Sequence, residues 1–214
     1  MHKLGPKRWV ILKAREAAFT LVELLVVVTI IGLLVGLISV AVPKAIESGM
    51  NAKAKGELTS IVAAVKAYKQ EYGQWPAIES INSSSAQEFA AWYGPSKWAG
   101  GGAGETRGKE LMKILSGVNQ SGGIWPQPMN PKQIRFLEGA KPTGVFLDPW
   151  GKQYCVKMDV NESGGMEYGS GNAGNENLRM SVIAVSLGKN GVQEDNPSVK
   201  GWDDIYSWGK NLQQ

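Results

Sequence analysis

The sequence predicts an α+β protein, with one long N-terminal helix packed on a small antiparallel sheet. Three observations carry this. The 19 residues from Leu24 to Val42 hold no charge. Beyond Pro43, apolar residues recur at three- and four-residue steps as far as Tyr72. After Val145 the pattern changes to short apolar runs separated by turn residues.

The first element is the uncharged run. At a rise of ~1.5 Å per residue it spans roughly 29 Å as a helix, close to a bilayer core of about 30 Å. Its fate has three forms: a removed signal, a permanent anchor, or a segment both processed and retained. The basic residues lie in front of it. Of 23 basic and 19 acidic side chains, Lys3, Lys7, Arg8, Lys13, Arg15 and the single acid Glu16 precede Phe19, so residues 19–214 carry 18 of each sign. Residues 1–18 therefore read as a basic leader, and no basic patch is left to argue for nucleic acid. Positive residues flanking an apolar span keep that end cytoplasmic. The reading is a single-pass membrane protein with its N-terminus cytoplasmic and its body on the other side of the membrane.

Residues 19–43 form the transmembrane and assembly helix, and residues 44–72 form its amphipathic second half. In that half Ile46, Met50, Ala54, Leu58, Ile61, Val62, Val65, Tyr68 and Tyr72 make one apolar stripe. Pro43 is expected to kink the helix without ending it, because helical spacing resumes beyond it. Gly73, followed by Pro76, is the expected stop.

Residues 73–214 form the exported domain. Ala86–Tyr93 and Lys109–Leu115 read as short helices, the run 100–104 as a flexible loop, and Pro126, Pro128, Pro131 and Pro142 as marks of extended connections. A phosphate-loop reading of the glycine run fails for lack of a following Lys-Ser/Thr and a preceding strand. Val145–Leu147 and Gln153–Met158 read as strands around an Asp148–Gly151 turn. Asn161–Asn177 reads as a loop, Arg179–Leu187 as the strongest strand, Gly188–Gly201 as a polar loop, and Trp202–Trp208 as the closing segment.

Residue types narrow the chemistry. The one histidine, His2, lies in the leader, which removes Ser-His-Asp, Cys-His and His-zinc machinery from the exported part. The one cysteine, Cys155, cannot form an intramolecular disulfide and reads as a buried small apolar residue. Most of the eight Trp residues read as core or loop anchors, with a sugar-binding aromatic surface as the alternative. No enzyme is expected.

With the leader, Glu23, the span and the stripe in view, the chain resembles the type IV pilin superfamily over roughly residues 13–72. Ala18-Phe19-Thr20-Leu21-Val22-Glu23 is similar to that family's prepilin peptidase site. The resemblance implies a pilin-like fold, cleavage between Ala18 and Phe19, and N-methylation of Phe19. The family usually has Gly before the cut, where this chain has Ala18. Glu23 would pair with the Phe19 amino group of a neighbouring subunit and set axial register; the alternative is a tolerated interfacial Glu. Gly32 and Gly36, four apart, would let helices approach closely or let this helix loosen, unless they are ordinary membrane-helix glycines.

Asp148-Pro149-Trp150-Gly151-Lys152-Gln153-Tyr154 resembles a motif of the major pseudopilin of type II secretion systems. The absence of a cysteine pair fits that family better than pilins with a C-terminal disulfide loop. Ser186-Leu187-Gly188-Lys189-Asn190-Gly191 followed by Asp203-Asp204-Ile205 is similar to its calcium loop, although the family usually has Asp where Asn190 stands, and residues 79–145 look inserted. The resemblance implies structural Ca²⁺ on Asn190, Asp195, Asp203, Asp204 and the Leu187 carbonyl; the alternative is a solvated acidic loop. It implies as partners copies of the chain and other pseudopilins, prepilin peptidase, an inner-membrane assembly platform and membrane lipid. The expected function is a structural subunit of a periplasmic pseudopilus that drives protein export. The alternatives are a surface type IV pilin and an anchored binding module that does not polymerise.

Overall fold

The computed structural model describes residues 19–76, 94–95, 102–122, 125–160, 162–168, 176–193 and 203–208. It divides into two compact units, residues 1–46 and 47–214. The leader, the expected helix Ala86–Tyr93 and Asp195 lie outside the described residues.

Helix α1 (Leu21–Tyr72) is a single 52-residue helix with Pro43 inside it. It ends as the sequence reading expects. Gly73 takes φ +70° and its amide donates to the Lys69 carbonyl at 2.8 Å, a left-handed cap that glycine adopts without steric cost. The buried stripe comprises Ala54, Leu58, Ile61, Ala64, Val65 and Tyr68. It is shorter than expected, because Ile46 is exposed and Met50 only half-buried.

Helix α2 (Gly102–Leu115) begins inside the glycine run that was expected to be a loop. Burial of Leu111, Met112, Ile114 and Leu115 outweighs the roughly 1 kcal/mol that each helical glycine costs. Glu105 in its first turn and Lys113 in its last complement the helix dipole. It closes with paired bonds, Val118 N–H to the Lys113 carbonyl and Gly117 N–H to the Ile114 carbonyl, both 3.1 Å, with Gly117 at φ +95°. Within the segment 79–145 that looks inserted, α2 places Leu111, Met112, Ile114 and Leu115 in the main core.

The central sheet is antiparallel in the order β3 (Cys155–Met158), β6 (Val182–Ser186), β7 (Ile205–Tyr206). Cys155 faces Val185, Met158 faces Val182, and Ser186 faces Ile205. Every residue of these three strands is buried, so both faces of the sheet are covered. Strand alternation sorts them. Tyr154, Val156, Met158, Val182, Ala184 and Ile205 join the α1–α2 cluster, whereas Cys155, Ile183, Val185, Leu187 and Tyr206 form a second cluster with Met166.

Two hairpins stand where connections were expected. β1 (Gln120–Gly122) pairs with β2 (Trp125–Met129) despite Pro126 and Pro128, and β4 (Met166–Tyr168) pairs with β5 (Glu176–Leu178) within the Asn- and Gly-rich stretch. In a two-stranded ribbon each strand has a free edge, where a missing N–H disrupts no ladder. Conversely, Val145–Leu147 is not a strand. Leu147 makes a single bridge to Gln153, and Val145 and Leu147 are exposed. The turn between them is as expected, with the Asp148 amide donating to the Lys152 carbonyl at 2.8 Å.

Asn130 fastens the end of α1 to the end of α2. It is fully buried at φ +56°. Its Nδ2 donates to the Ile114 and Ile134 carbonyls at 2.7 and 2.8 Å, while its Oδ1 accepts from the Tyr72 hydroxyl and the Ile134 amide at 2.7 and 2.9 Å. Asn130→Ala strands these partners and leaves the left-handed backbone to a residue without the polar side chain that favours it, for an expected loss of about 3 kcal/mol in denaturant unfolding of the detergent-solubilised chain. Asn130→Gly should lose about 1 kcal/mol less, since glycine takes that φ freely.

Candidate processing and assembly site

The site begins where α1 begins. Thr20 and Glu23 cap the helix reciprocally. The Glu23 amide donates to Thr20 Oγ1 at 3.2 Å, and Glu23 Oε2 accepts from the Thr20 amide at 2.9 Å and the Thr20 hydroxyl at 2.8 Å. This capping box satisfies amides that a helix start leaves unpaired. Its signature, Thr-x-x-Glu before an apolar run, is readable in the sequence at Thr20 and Glu23. Within the chain, Glu23 meets Thr20.

Phe19 is 80% exposed, and every large apolar side chain from Leu21 to Val42 is also exposed. The helix is long and apolar enough to cross a membrane, with a mean hydropathy of 3.0 in its most apolar window. Two hydroxyls of its apolar half bond back to the helix itself. The Thr29 hydroxyl donates to the Val26 carbonyl and the Ser39 hydroxyl to the Val35 carbonyl, both at 2.7 Å. A Cβ added at Gly32 or Gly36 would meet nothing within 4 Å, so no contact within the chain requires glycine there.

The second candidate site is the corner where β6 leaves the sheet. Leu187 and Asp204 are buried and Asn190 is exposed. The Leu187 carbonyl accepts from the Gly191 amide at 3.0 Å. Asp203 Oδ2 accepts from the Asn190 amide at 2.8 Å, and Asn190 Oδ1 accepts from the Val192 amide at 2.7 Å. Asp204 Oδ2 accepts from the Tyr206 hydroxyl at 3.3 Å. Gly188 lies so close to Asp203 that a Cβ would come within 2.2 Å of the Asp203 carbonyl oxygen. The structure therefore brings Leu187, Asn190 and Asp203 into one corner, whereas the Asp204 carboxylate meets the Tyr206 hydroxyl and Asp195 lies outside the described residues. Their donors are all oxygens, the kind a hard cation takes, and the Gly188 cradle admits no side chain. Among the described residues no group of three or more His, Cys, Asp or Glu is placed to hold a metal. The described donors fit calcium in kind and fall short of its usual six to eight ligands.

Residues 13–39 match the family described as the prokaryotic N-terminal methylation motif. The chain carries a type IV prepilin-like signal. No curated protein and no solved structure matches it. The prepilin-like signal implies processing by prepilin peptidase and assembly with other pilin-like subunits, and such families are structural subunits. The match covers the leader end, the Thr20–Glu23 cap, Gly32 and Gly36, and stops short of Pro43 and of the corner after β6. A single apolar helix with this signal points to a membrane-anchored protein.

Cys155 is fully buried, as expected for a structural thiol. Burial pushes its pKa well up, with the Asp204 and Asp148 carboxylates adding to the shift. Burial and the hydrogen bond to Glu57 do the same to the Tyr154 hydroxyl. Both groups are neutral in the fold. Below the ordinary thiol pKa of 9.0 their contribution to stability is flat. Above about pH 9 the unfolded chain releases a proton that the folded chain keeps, so stability falls as pH rises. Each group should contribute a slope of up to about 1.4 kcal/mol per pH unit, Cys155 first and Tyr154 from about pH 10. Urea unfolding across this range, with Cys155→Ala delaying the onset of the fall, checks it.

Proposed function

We propose that this chain is a structural, non-enzymatic subunit of a type II secretion pseudopilus, held in the inner membrane by α1 until its leader is removed, then stacked into a periplasmic filament that drives protein export. One observation carries the reading. The methylation motif at residues 13–39 overlaps a capped helix whose large apolar side chains from Leu21 to Val42 are exposed among the described residues. Such a surface needs lipid before assembly and the helices of other subunits after it. The single cysteine favours a pseudopilus over a pilus built on a C-terminal disulfide loop.

In the filament the Glu23 carboxylate exchanges its bonds to Thr20 for the methylated amino group of Phe19 on a neighbour. The low dielectric makes a missing partner costly there, which fixes axial register. Glu23→Ala is therefore expected to lower sheared-filament yield at least tenfold in cells carrying the assembly machinery, with membrane level unchanged. Unchanged yield contradicts the register role. Loss of an exported protein from the medium on deletion of the chain identifies a pseudopilus. Loss of surface fibres with export intact identifies a pilus.

Structural calcium belongs to the same reading, with Leu187, Asn190, Asp203 and Asp204, joined by Asp195, as the residues that would hold it. The ion would supply positive charge to tie the loop after β6 to the segment entering β7. At a hundredfold excess over its dissociation constant, binding adds about 2.7 kcal/mol, a rise of roughly 5–10 °C in melting temperature for a domain of this size. A melting temperature equal in calcium and in chelator contradicts it.

A further inference from the structure

The turn before β3 and the loop after β6 are joined through one buried hydroxyl. Asp148, 5% exposed, closes its own turn by accepting from the Trp150 and Lys152 amides on Oδ1, at 3.0 and 2.8 Å. Its Oδ2 accepts from the Ser186 hydroxyl at 2.6 Å, from a residue 38 positions away that is fully buried. Ser186 Oγ in turn accepts from the Gly188 amide at 3.3 Å. A hydroxyl has one proton. Committed to Asp148, it presents a lone pair to Gly188, so the carboxylate fixes the direction of the relay.

Gly188 is where that direction matters. It takes φ +59° and lies against the Asp203 backbone with no room for a Cβ. Two residues on, the Asn190 amide reaches Asp203 Oδ2 at 2.8 Å. The loop is thus pinned at Gly188 by Ser186 and at Asn190 by Asp203, with both pins depending on the same backbone path.

We propose that Asp148 is a positioning residue for the Leu187–Asn190 and Asp203 corner: through the Ser186 hydroxyl it holds the Gly188 backbone against Asp203 and so sets the placement of the corner's oxygen donors. A simpler role is that Asp148 only closes the 148–152 turn. The two differ in what a change at Asp148 does to the Gly188 and Asn190 amides, because Ser186 accepts the Gly188 bond itself and a residue that only closes the 148–152 turn would leave those amides alone. The effect on calcium rests on the reading of this corner as a cation site, whereas the effect on the loop backbone does not.

The test is amide hydrogen exchange by NMR on the full chain in detergent micelles, for Asp148→Asn, Ser186→Ala and the double variant. Positioning predicts that both single changes speed exchange of the Gly188 and Asn190 amides at least tenfold, and that the double variant is no faster than either, because both cut one relay. Unchanged exchange at Gly188 and Asn190 in Asp148→Asn or in Ser186→Ala overturns the proposal, and Asp148→Ser, whose hydroxyl can still accept from the turn amides, takes the place of Asp148→Asn if that variant does not fold. A calcium titration of melting temperature provides a second readout. Both variants should need about tenfold more calcium for the half-maximal shift, and an unchanged midpoint beside a responsive wild type also overturns the positioning role toward the cation. A wild type indifferent to calcium sinks the cation reading, and the exchange result still decides the role of Asp148.

Discussion

The constraint on which the rest depends is the apolar surface of the first half of α1. Nineteen consecutive uncharged residues stand exposed, and an α-helix satisfies its own backbone without covering its side chains. The helix start meets the same demand. Thr20 and Glu23 pair off its first amides, so the capped end presents few unmet donors to lipid. Thr29 and Ser39 bond back to carbonyls within their own helix. Among the described residues this surface stays uncovered, which suits it to lipid or to other helices, and the methylation motif at residues 13–39 overlaps it.

In the second unit a small sheet is made rigid by being covered on both sides. Strand β6 has the α1–α2 cluster on one face and Met166, Leu178 and Trp208 near the other. Polar ties fix the elements around it. Tyr154 bonds Glu57 of α1, Asn130 joins the ends of the two helices, and Lys69 reaches Glu162 while its ammonium lies 4.1 Å from the Trp75 ring centroid. The Lys69–Glu162 ion pair, exposed on the Glu162 side, adds little by itself. The stability of this unit rests on the two apolar clusters and on the buried hydrogen bonds of Asn130 and Asp148.

Much of this was legible in the sequence, and the misses have physical causes. Helix α1, its Gly73 stop, the buried segment from Ala54 to Tyr68, the Asp148 turn and strand β6 follow from local periodicity and turn chemistry. The hairpins β1–β2 and β4–β5 do not, because their pairing is a backbone matter in stretches rich in Pro, Gly and Asn, where side-chain pattern is silent. Helix α2 begins seven residues before the expected Lys109, because local glycine propensity opposes a helix there while the burial of Leu111 and Leu115, a tertiary effect, favours it. At the candidate sites Phe19 and Glu23 stood out by residue type, and the Thr20 partner was readable from its spacing. Asn130, Ser186 and the second role of Asp148 depend on contacts between distant segments, and no spacing rule reaches those.

The central claim is that α1 is a retained assembly helix whose leader is cut at its cytoplasmic edge. Mass spectrometry of the N-terminus of the mature chain from its native membrane tests this most directly. The account predicts a chain that begins at Phe19 and carries an N-methyl group. An uncut chain, or one that begins after Ser39 or Ala41, would contradict it.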